Sequence, residues 1–251
     1  MLKHLAPGAE KTIGPSSNTF YAVLNQDGSR YFYSSGAKGM IDVFTRGVSG
    51  WRSWWSSSVC ARCGMPRGVS RDGRSLLLWD DSEADNHVDL LDLTTGKSHP
   101  VLKNINAQIY GPEFSPDAKW ISFVAQTGKH SWRAYIAGIP AVGPANRSDW
   151  IPATANLDGF LMAFWSQDGN LLYILNEHGE GNLNWLDAQK LDPRNKRPVE
   201  QPFNVYRFRE PRVPGMDPIW NHPAVGRDKI ILELGDMSTN VWLLNVPRRT
   251  L

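Results

Sequence analysis

Short apolar runs follow one another along the chain, separated by polar turn signals. A typical pair lies in the middle of the sequence, where residues 120–124 form a bulky, branched run, Gly128 interrupts it, and residues 132–139 form the next one. Branched and aromatic side chains of this kind favour strands. Apolar residues do not recur at helical spacing over several turns, so the pattern predicts an all-β chain.

A polar phrase that contains aspartate returns between these runs. It reads Asn-Gln-Asp-Gly, Ser-Arg-Asp-Gly, Ser-Pro-Asp-Ala and Ser-Gln-Asp-Gly, and its aspartates are Asp27, Asp72, Asp117 and Asp168, spaced 45, 45 and 51 positions apart. Aspartate in a tight turn accepts hydrogen bonds from backbone amides, and glycine supplies a positive φ at little steric cost. We therefore interpret the four aspartates as structural turn residues that join two strands, not as catalytic groups.

The repeating unit contains about four short strands, and antiparallel units of this size at a period of about 40–50 residues are the signature of a β-propeller. The predicted units are residues 15–60, 61–105, 106–155, 156–210 and 211–251, the last of them degenerate. Residues 1–14 look like the end of a blade whose beginning is missing, and they could complete the fifth blade. The sequence thus predicts a single propeller domain of about five four-stranded blades. The alternative is a piece of a longer propeller.

The turn phrase of the third unit lies within a longer pattern. Pro112-Glu113-Phe114-Ser115-Pro116-Asp117 precedes a hydrophobic strand, and Leu91-Asp92-Leu93-Thr94-Thr95-Gly96 ends a strand of the second unit. Both segments resemble the repeat of the TolB-like, or WD40-like, propellers, and the resemblance covers units one to four well and unit five poorly. It implies a bacterial propeller that contacts other proteins and forms the C-terminal part of a larger protein. It also favours a periplasmic or other extracytoplasmic location over the cytoplasm.

Charge and hydropathy narrow the range of partners. The 251 residues include 27 Lys and Arg against 25 Asp and Glu, a net charge of +2. This balance provides no basic field for nucleic acid, so none is expected as a partner. No run of about 18 apolar residues occurs, and no membrane span is predicted. We expect a protein partner, whose identity the sequence does not reveal.

Cys60 and Cys63 are the two cysteines of the chain. A structural zinc site usually has four ligands, and no second cysteine pair is present. A thioredoxin-like redox role expects the pair at a helix in a βαβ unit, which an all-β chain lacks. Two interpretations remain, a local disulfide in an oxidising compartment or two reduced thiols in the cytoplasm. No metal site and no cofactor are predicted.

An aromatic cluster is the main candidate for an interaction patch. It consists of Trp51, Arg52, Trp54 and Trp55. Tryptophan and arginine are enriched at the energetic hot spots of protein interfaces, which favours recognition of a partner. Propeller cores also need bulky side chains, so the alternative is that these tryptophans pack between blades.

Motifs of enzymes are missing from the sequence. It contains no Gly-x-Ser-x-Gly elbow, no His-Glu-x-x-His and no glycine-rich phosphate loop. The sequence therefore predicts a non-catalytic interaction scaffold or sensor domain. The alternative is the propeller portion of an enzyme, either the gating domain of a peptidase or a carbohydrate-active propeller. Two or more carboxylates that converge in a deep axial pocket would favour the enzyme.

Overall fold

A computed structural model describes most of the chain in eleven segments. They are residues 19–37, 40–47, 57–82, 86–103, 108–159, 161–176, 185–208, 212–214, 223–226, 229–231 and 234–236. Within them the regular structure is β-strand apart from one short 3₁₀ turn, Arg147–Asp149. The all-β class is confirmed.

Four antiparallel sheets follow one another in chain order. The first contains β1 (Thr19–Leu24), β2 (Arg30–Ala37), β3 (Met40–Gly47) and β4 (Ser57–Cys60). The second contains β5 (Met65–Val69), β6 (Ser75–Asp80), β7 (His87–Asp92) and β8 (Ser98–Lys103). The third contains β9 (Ile109–Phe114), β10 (Trp120–Gln126), β11 (Ser131–Gly138), β12 (Ile151–Pro152) and β13 (Leu157–Asp158). The fourth contains β14 (Leu161–Trp165), β15 (Leu171–Asn176), β16 (Trp185–Lys190) and β17 (Phe203–Arg207).

Two strand pairs follow the fourth sheet. They are β18 (Arg212–Pro214) with β21 (Leu234–Asp236), and β19 (Ala224–Val225) with β20 (Ile230–Ile231). They lie within the unit that the sequence predicts as the fifth blade. Residues 1–14, which the sequence assigns to the same blade, lie outside the described residues.

Each sheet is a meander in which neighbouring strands are consecutive in sequence. The third sheet departs slightly from this plan, because its strand β11 pairs with both β12 and β13 at its outer edge. Trp132 of β11 pairs with Leu157 of β13. The third sheet therefore extends beyond residue 155, where the sequence places the end of the third unit.

The sheets pack face to face through the alternating side chains of their strands. In β6, Leu76 and Leu78 contact the first sheet, whereas Leu77 and Trp79 belong to a core shared with the third sheet. Similar cores lie between the third and fourth sheets and between the fourth sheet and the residues around Val225. The second, third and fourth sheets each contribute to a core on both faces, and the first sheet shares its core with the second, so each of these cores is formed between sheets. Stacked four-stranded meanders of this kind are the architecture of a β-propeller.

The turn phrase joins the first and second strands of each sheet. In the fourth sheet, Asp168 Oδ1 accepts hydrogen bonds from Ser166 Oγ at 2.6 Å and from the backbone N–H of Asn170 at 3.0 Å. The backbone N–H of Leu171 donates in turn to Ser166 Oγ at 2.9 Å. The turns of the second and third sheets have the same three bonds. In the first sheet an asparagine side chain, Asn25, replaces the serine.

These bonds make part of the stability depend on pH. The hydrogen bonds from Ser166 and Asn170 lower the pKa of Asp168, so its stabilising contribution is present above the unfolded pKa and is lost as the pH falls through the folded one. We expect Asp168→Asn to reduce the free energy of unfolding by about 1 kcal/mol at pH 7, and by less at an acid pH below the folded pKa of Asp168. Urea unfolding of both proteins at the two pH values measures this. Equal losses at both would show that the charge of Asp168 is irrelevant.

Candidate binding site

The first strands of the four sheets lie side by side. Strand β5 contacts β1 on one side and β9 on the other, and β9 contacts β14. Because the turn phrase directly follows the first strand of each sheet, the four turns gather at one end of these strands. A cavity of about 610 Å³ opens there, which we call the axial cavity.

In every turn, the residue before the aspartate lines the axial cavity. These residues are Gln26, Arg71, Pro116 and Gln167, each of which precedes the turn aspartate. Their side chains have no part in the hydrogen bonds that hold the turn, so the turn accepts different residue types at this position. The turns thus present four side chains of different chemistry around one opening. Gln167 also reaches toward residues that follow the fourth sheet, with its Nε2 3.5 Å from the carbonyl oxygen of Val225.

The last residues of the four first strands form an apolar collar in the same cavity. They are Leu24, Val69, Phe114 and Trp165. Leu24 is 61% exposed, whereas Trp165 is buried. The collar offers apolar contact area directly beside the polar turn residues.

Three of the four first strands contain β-bulges. The pairing of β1 with β2 is interrupted at Tyr21, that of β5 with β6 at Arg67, and that of β9 with β10 just before Glu113. The pairing of β14 with β15 is regular. A bulge turns a side chain away from its regular direction. The bulges place a phenol, a guanidinium and a carboxyl group on adjacent first strands.

Glu113 is the carboxylate on the described wall of the axial cavity. Its side chain accepts a hydrogen bond from the backbone N–H of Trp165 in the next sheet. Its Oε2 is buried and has no hydrogen-bond partner among the described residues. Burial raises the pKa of Glu113 to about 8, although the charge of Arg67 and the bond from Trp165 oppose this shift. The carboxyl group is therefore mostly protonated at neutral pH.

Arg67 lies deeper, between the second and third sheets. Its guanidinium is held over the ring of Trp79, 5.4 Å from the ring centroid. Burial lowers the pKa of Arg67 to about 10, and the charges of Glu113 and Tyr21 oppose the shift. Arg67 therefore remains charged at neutral pH, whereas its carboxyl neighbour Glu113 is mostly neutral.

A second, smaller cavity continues outward from the axial cavity. It measures about 460 Å³ and lies between the turns of the second and third sheets. Gln26, Arg71 and Phe114 line both cavities, and Asp72 and Asp117 line only the outer one. The shared residues show that the two cavities are adjacent.

Solved structures with the same arrangement of sheets include TolB from Acinetobacter baumannii. TolB matches at 13% identity with a TM-score of 0.57, over 87% of this chain and 51% of TolB. The fold is a β-propeller similar to that of TolB. Prolyl oligopeptidase B from Galerina marginata matches at 9% identity and a TM-score of 0.56, over 89% of this chain and 34% of that protein. The propeller domain of the Trilobed protease from Pyrococcus furiosus matches at 12% identity and a TM-score of 0.50, over 78% and 60% of the two chains.

These likenesses show the propeller fold alone. This chain spans between a third and two thirds of the length of the three matched chains. No family model and no curated protein matches the sequence. The propeller neighbours include both TolB and propellers attached to peptidases, so the fold by itself determines no specific function.

The residues that the sequence singles out lie apart from Glu113. The four turn aspartates hold their turns, and Asp27 and Asp168 do not line either cavity. Cys60 and Cys63 form a disulfide in the link between the first and second sheets, with 6.0 Å between their Cα atoms. The proposed patch of Trp51, Arg52, Trp54 and Trp55 lies outside the described residues.

Two further findings bear on partners. Among the described residues, no helix has the length and apolar character needed to cross a lipid bilayer. The same residues contain no group of three or more His, Cys, Asp or Glu side chains arranged to hold a metal ion.

Sequence reasoning missed Glu113 and Arg67 as site residues. Each is a charged residue inside a short strand of otherwise uncharged residues, Met65–Val69 and Ile109–Phe114. That contrast is the signal that could have revealed them, because a buried charge is costly unless it is paired or has a role in function.

Proposed function

We propose that this propeller is a non-catalytic binding module that captures a peptide segment of a partner protein at the axial cavity. The observation that carries the proposal is the convergence of Gln26, Arg71, Pro116 and Gln167 on one opening. The scaffold around these positions repeats, whereas their side chains differ. A repeated scaffold with varied side chains at its opening is suited to recognising one particular surface.

The shape of the site supports a peptide as the ligand. The axial cavity and the outer cavity share Gln26, Arg71 and Phe114, and under this proposal one extended segment occupies both, so that together they act as a groove. The groove combines an apolar collar with amide and guanidinium groups at its rim. Peptide segments offer both apolar side chains and backbone groups that hydrogen-bond to such a rim.

The chemistry of the cavity favours binding over catalysis. Its described wall contains one carboxylate, Glu113, whereas a carbohydrate-active site generally uses two. The turn serines on this wall, Ser115 and Ser166, donate their hydroxyl hydrogens to the turn aspartates. Under this proposal the chain hydrolyses neither peptides nor glycosides.

Selection from a random peptide library on the immobilised chain tests the proposal. We expect Arg71→Ala to weaken the selected peptides at least about tenfold, because Arg71 lines both cavities and an arginine that a bound partner covers is a frequent hot spot. Lys97→Ala is the matched control, since it removes a positive charge from an exposed turn between β7 and β8, away from both cavities. Isothermal calorimetry gives the affinities.

The proposal fails if the selected peptides bind Arg71→Ala and Lys97→Ala equally well. Such a result would place the peptide site elsewhere on the propeller. Circular dichroism of both variants shows whether the fold is intact.

A further inference from the structure

Lys196 is a buried lysine in a backbone conformation that favours glycine. It lies in the hairpin loop between β16 and β17, its φ is +57°, and its residue is 4% exposed. Residues with a side chain seldom adopt such a φ, and lysine is rarely buried without a partner. Backbone strain of this kind persists where the surrounding structure holds it, often at functional sites. Both the φ and the burial of Lys196 therefore point to a role for its side chain.

The matching loop of the second sheet, between β7 and β8, has glycine at this place. There Asp92 Oδ1 accepts two backbone N–H groups of its own loop, and the N–H of Gly96 donates to the carbonyl oxygen of Asp92. Asp192 and Lys196 form the same bonds in the fourth sheet. Gly96 has a φ of +69°, so the two loops also share their backbone conformation. The hairpin thus forms with glycine, and its own bonds do not need a lysine.

The ammonium group of Lys196 contacts the turn of the fourth sheet. Its Nζ donates a hydrogen bond to the carbonyl oxygen of Gly169 at 2.7 Å. It also lies 6.0 Å from the ring centroid of Trp165, at the outer limit of a cation–π contact. Trp165 and Gln167, on either side of Ser166, both line the axial cavity, whereas Lys196 lines neither cavity. Lys196 therefore acts on the cavity wall through the turn that it holds.

The turn of the third sheet meets the same ammonium group. A Cβ added to Gly169 would lie 3.3 Å from Cδ of Pro116 and 3.5 Å from Nζ of Lys196. Burial raises the pKa of Asp117, but hydrogen bonds within its turn and nearby positive charge, including that of Lys196, outweigh burial and lower it. One buried cation thus bonds to the fourth turn and acts on the charge of the third.

We propose that Lys196 is a positioning residue of the axial cavity, whose buried ammonium group fixes the turns of the third and fourth sheets relative to each other. Pro116 and Gln167, which these turns place at the opening, then keep a constant spacing. A ligand that contacts both side chains meets a preformed site and loses less freedom on binding. The effect of Lys196 on affinity rests on the proposed peptide-binding function, whereas its effect on the turns does not.

Lys196→Gly tests the proposal, because it removes the ammonium group and introduces the residue type that the second sheet has at this place. Glycine adopts a positive φ readily, so the hairpin itself should remain. Arg62→Gly is the matched control, since Arg62 is an exposed cation with almost the same φ, +56°, and lines neither cavity. Each variant loses one positive charge and relieves the strain of one residue.

NMR of the full chain measures the contact between the two turns without any ligand. The ring of Pro116 should give a nuclear Overhauser signal to the Hα atoms of Gly169 in the unsubstituted chain and in Arg62→Gly. We expect this signal to be lost in Lys196→Gly, while the signals between β14 and β15 persist. A signal of unchanged strength in folded Lys196→Gly would overturn the inference. Lys196→Met, which keeps the aliphatic stem without the charge, serves if Lys196→Gly does not fold.

The ionisation of Asp117 gives a second measure that a general loss of stability would not reproduce. The backbone N–H of Lys119 donates to Asp117 Oδ1 at 3.2 Å, so its NMR signal reports this ionisation. In Lys196→Gly the pKa of Asp117 should rise, because a nearby positive charge is removed. In Arg62→Gly it should stay the same. Equal pKa values in the two variants would show that the ammonium group does not act on the third turn and would overturn the inference.

Peptides selected on the unsubstituted chain measure the consequence for binding. We expect Lys196→Gly to weaken them about tenfold, which lies within the range found for residues that do not touch the ligand. Arg62→Gly should bind them as the unsubstituted chain does. If Arg71→Ala weakens the peptides and Lys196→Gly does not, the positioning role fails and the proposed function stands. If Arg71→Ala has no effect, the proposed function fails, and the Overhauser signal still decides whether Lys196 fixes the turns.

Discussion

Replacing Gly64 by alanine should destabilise the propeller more than a substitution in any turn. Gly64 lies just before β5 and has a φ of +78°, a conformation that costs L-residues about 1–2 kcal/mol. A Cβ at this position would lie 2.5 Å from the carbonyl oxygen of Trp79 and 2.8 Å from its carbonyl carbon. Both are backbone atoms of β6, so the strand itself must move. We expect Gly64→Ala to lower the free energy of unfolding by about 3–5 kcal/mol.

Gly73→Ala separates the effect of the positive φ from that of the close approach to β6. Gly73 has nearly the same φ, +71°, but nothing lies within 4 Å of the Cβ that alanine would add. This variant should therefore lose only the conformational part, about 1 kcal/mol. Chemical unfolding of the two variants beside the unsubstituted chain measures the difference. If both variants lose the same free energy of unfolding, β6 moves away from the new Cβ at position 64 without measurable cost.

The repeat and the strands could be predicted because their signals are local. The β-branched and aromatic side chains from Trp120 to Val124 are enough to predict a strand. The turn phrase before this strand forms hydrogen bonds within itself, so it too can be predicted from local sequence. The strand β13 was missed, since Leu157 and Asp158 are too short a run to show alternation. Leu157 and Asp158 pair with β11 because the chain after β12 comes back to the outer edge of β11, which is a tertiary arrangement that the two residues do not encode.

The site could not be predicted in the same way, because it is formed between sheets. Glu113 and Arg67 lie 46 positions apart and meet only because β5 and β9 are neighbouring first strands. Their bulges, which set the direction of the side chains, have no clear signal in the sequence. The patch around Trp51 stays a prediction, since it lies outside the described residues.

Trp79 connects the packing of the blades to this site. It is fully buried at 0% exposure, and its indole N–H donates to the carbonyl oxygen of Ile109 at 3.0 Å. Tyr110 lies edge-on at 5.6 Å between ring centroids, and Arg67 lies over the ring. One side chain thus joins the second sheet to the third and supports the guanidinium that faces Glu113.

We therefore expect Trp79→Ala to lower the free energy of unfolding by about 3–5 kcal/mol, since it opens a large cavity between two blades. Thermal and urea unfolding measure the loss. Trp79→Phe keeps a ring for Arg67 and should lose less, because Asn86 Nδ2 still donates to the carbonyl oxygen of Ile109 at 3.3 Å. Trp120→Ala, the same substitution at a half-buried position, should cost about 1–2 kcal/mol.

The ionisation of Glu113 should respond to the same substitutions. Trp79→Phe retains an aromatic ring beneath Arg67. The NMR signal of the Trp165 backbone amide, which donates to Glu113, should therefore show Glu113 ionising at nearly the same pH as in the unsubstituted chain. Trp79→Ala removes the ring beneath the Arg67 guanidinium and admits water beside it, which weakens the burial that raises the pKa of Glu113. Its titration should therefore shift to lower pH. An unchanged titration in a folded Trp79→Ala variant would show that Trp79 acts on blade packing alone.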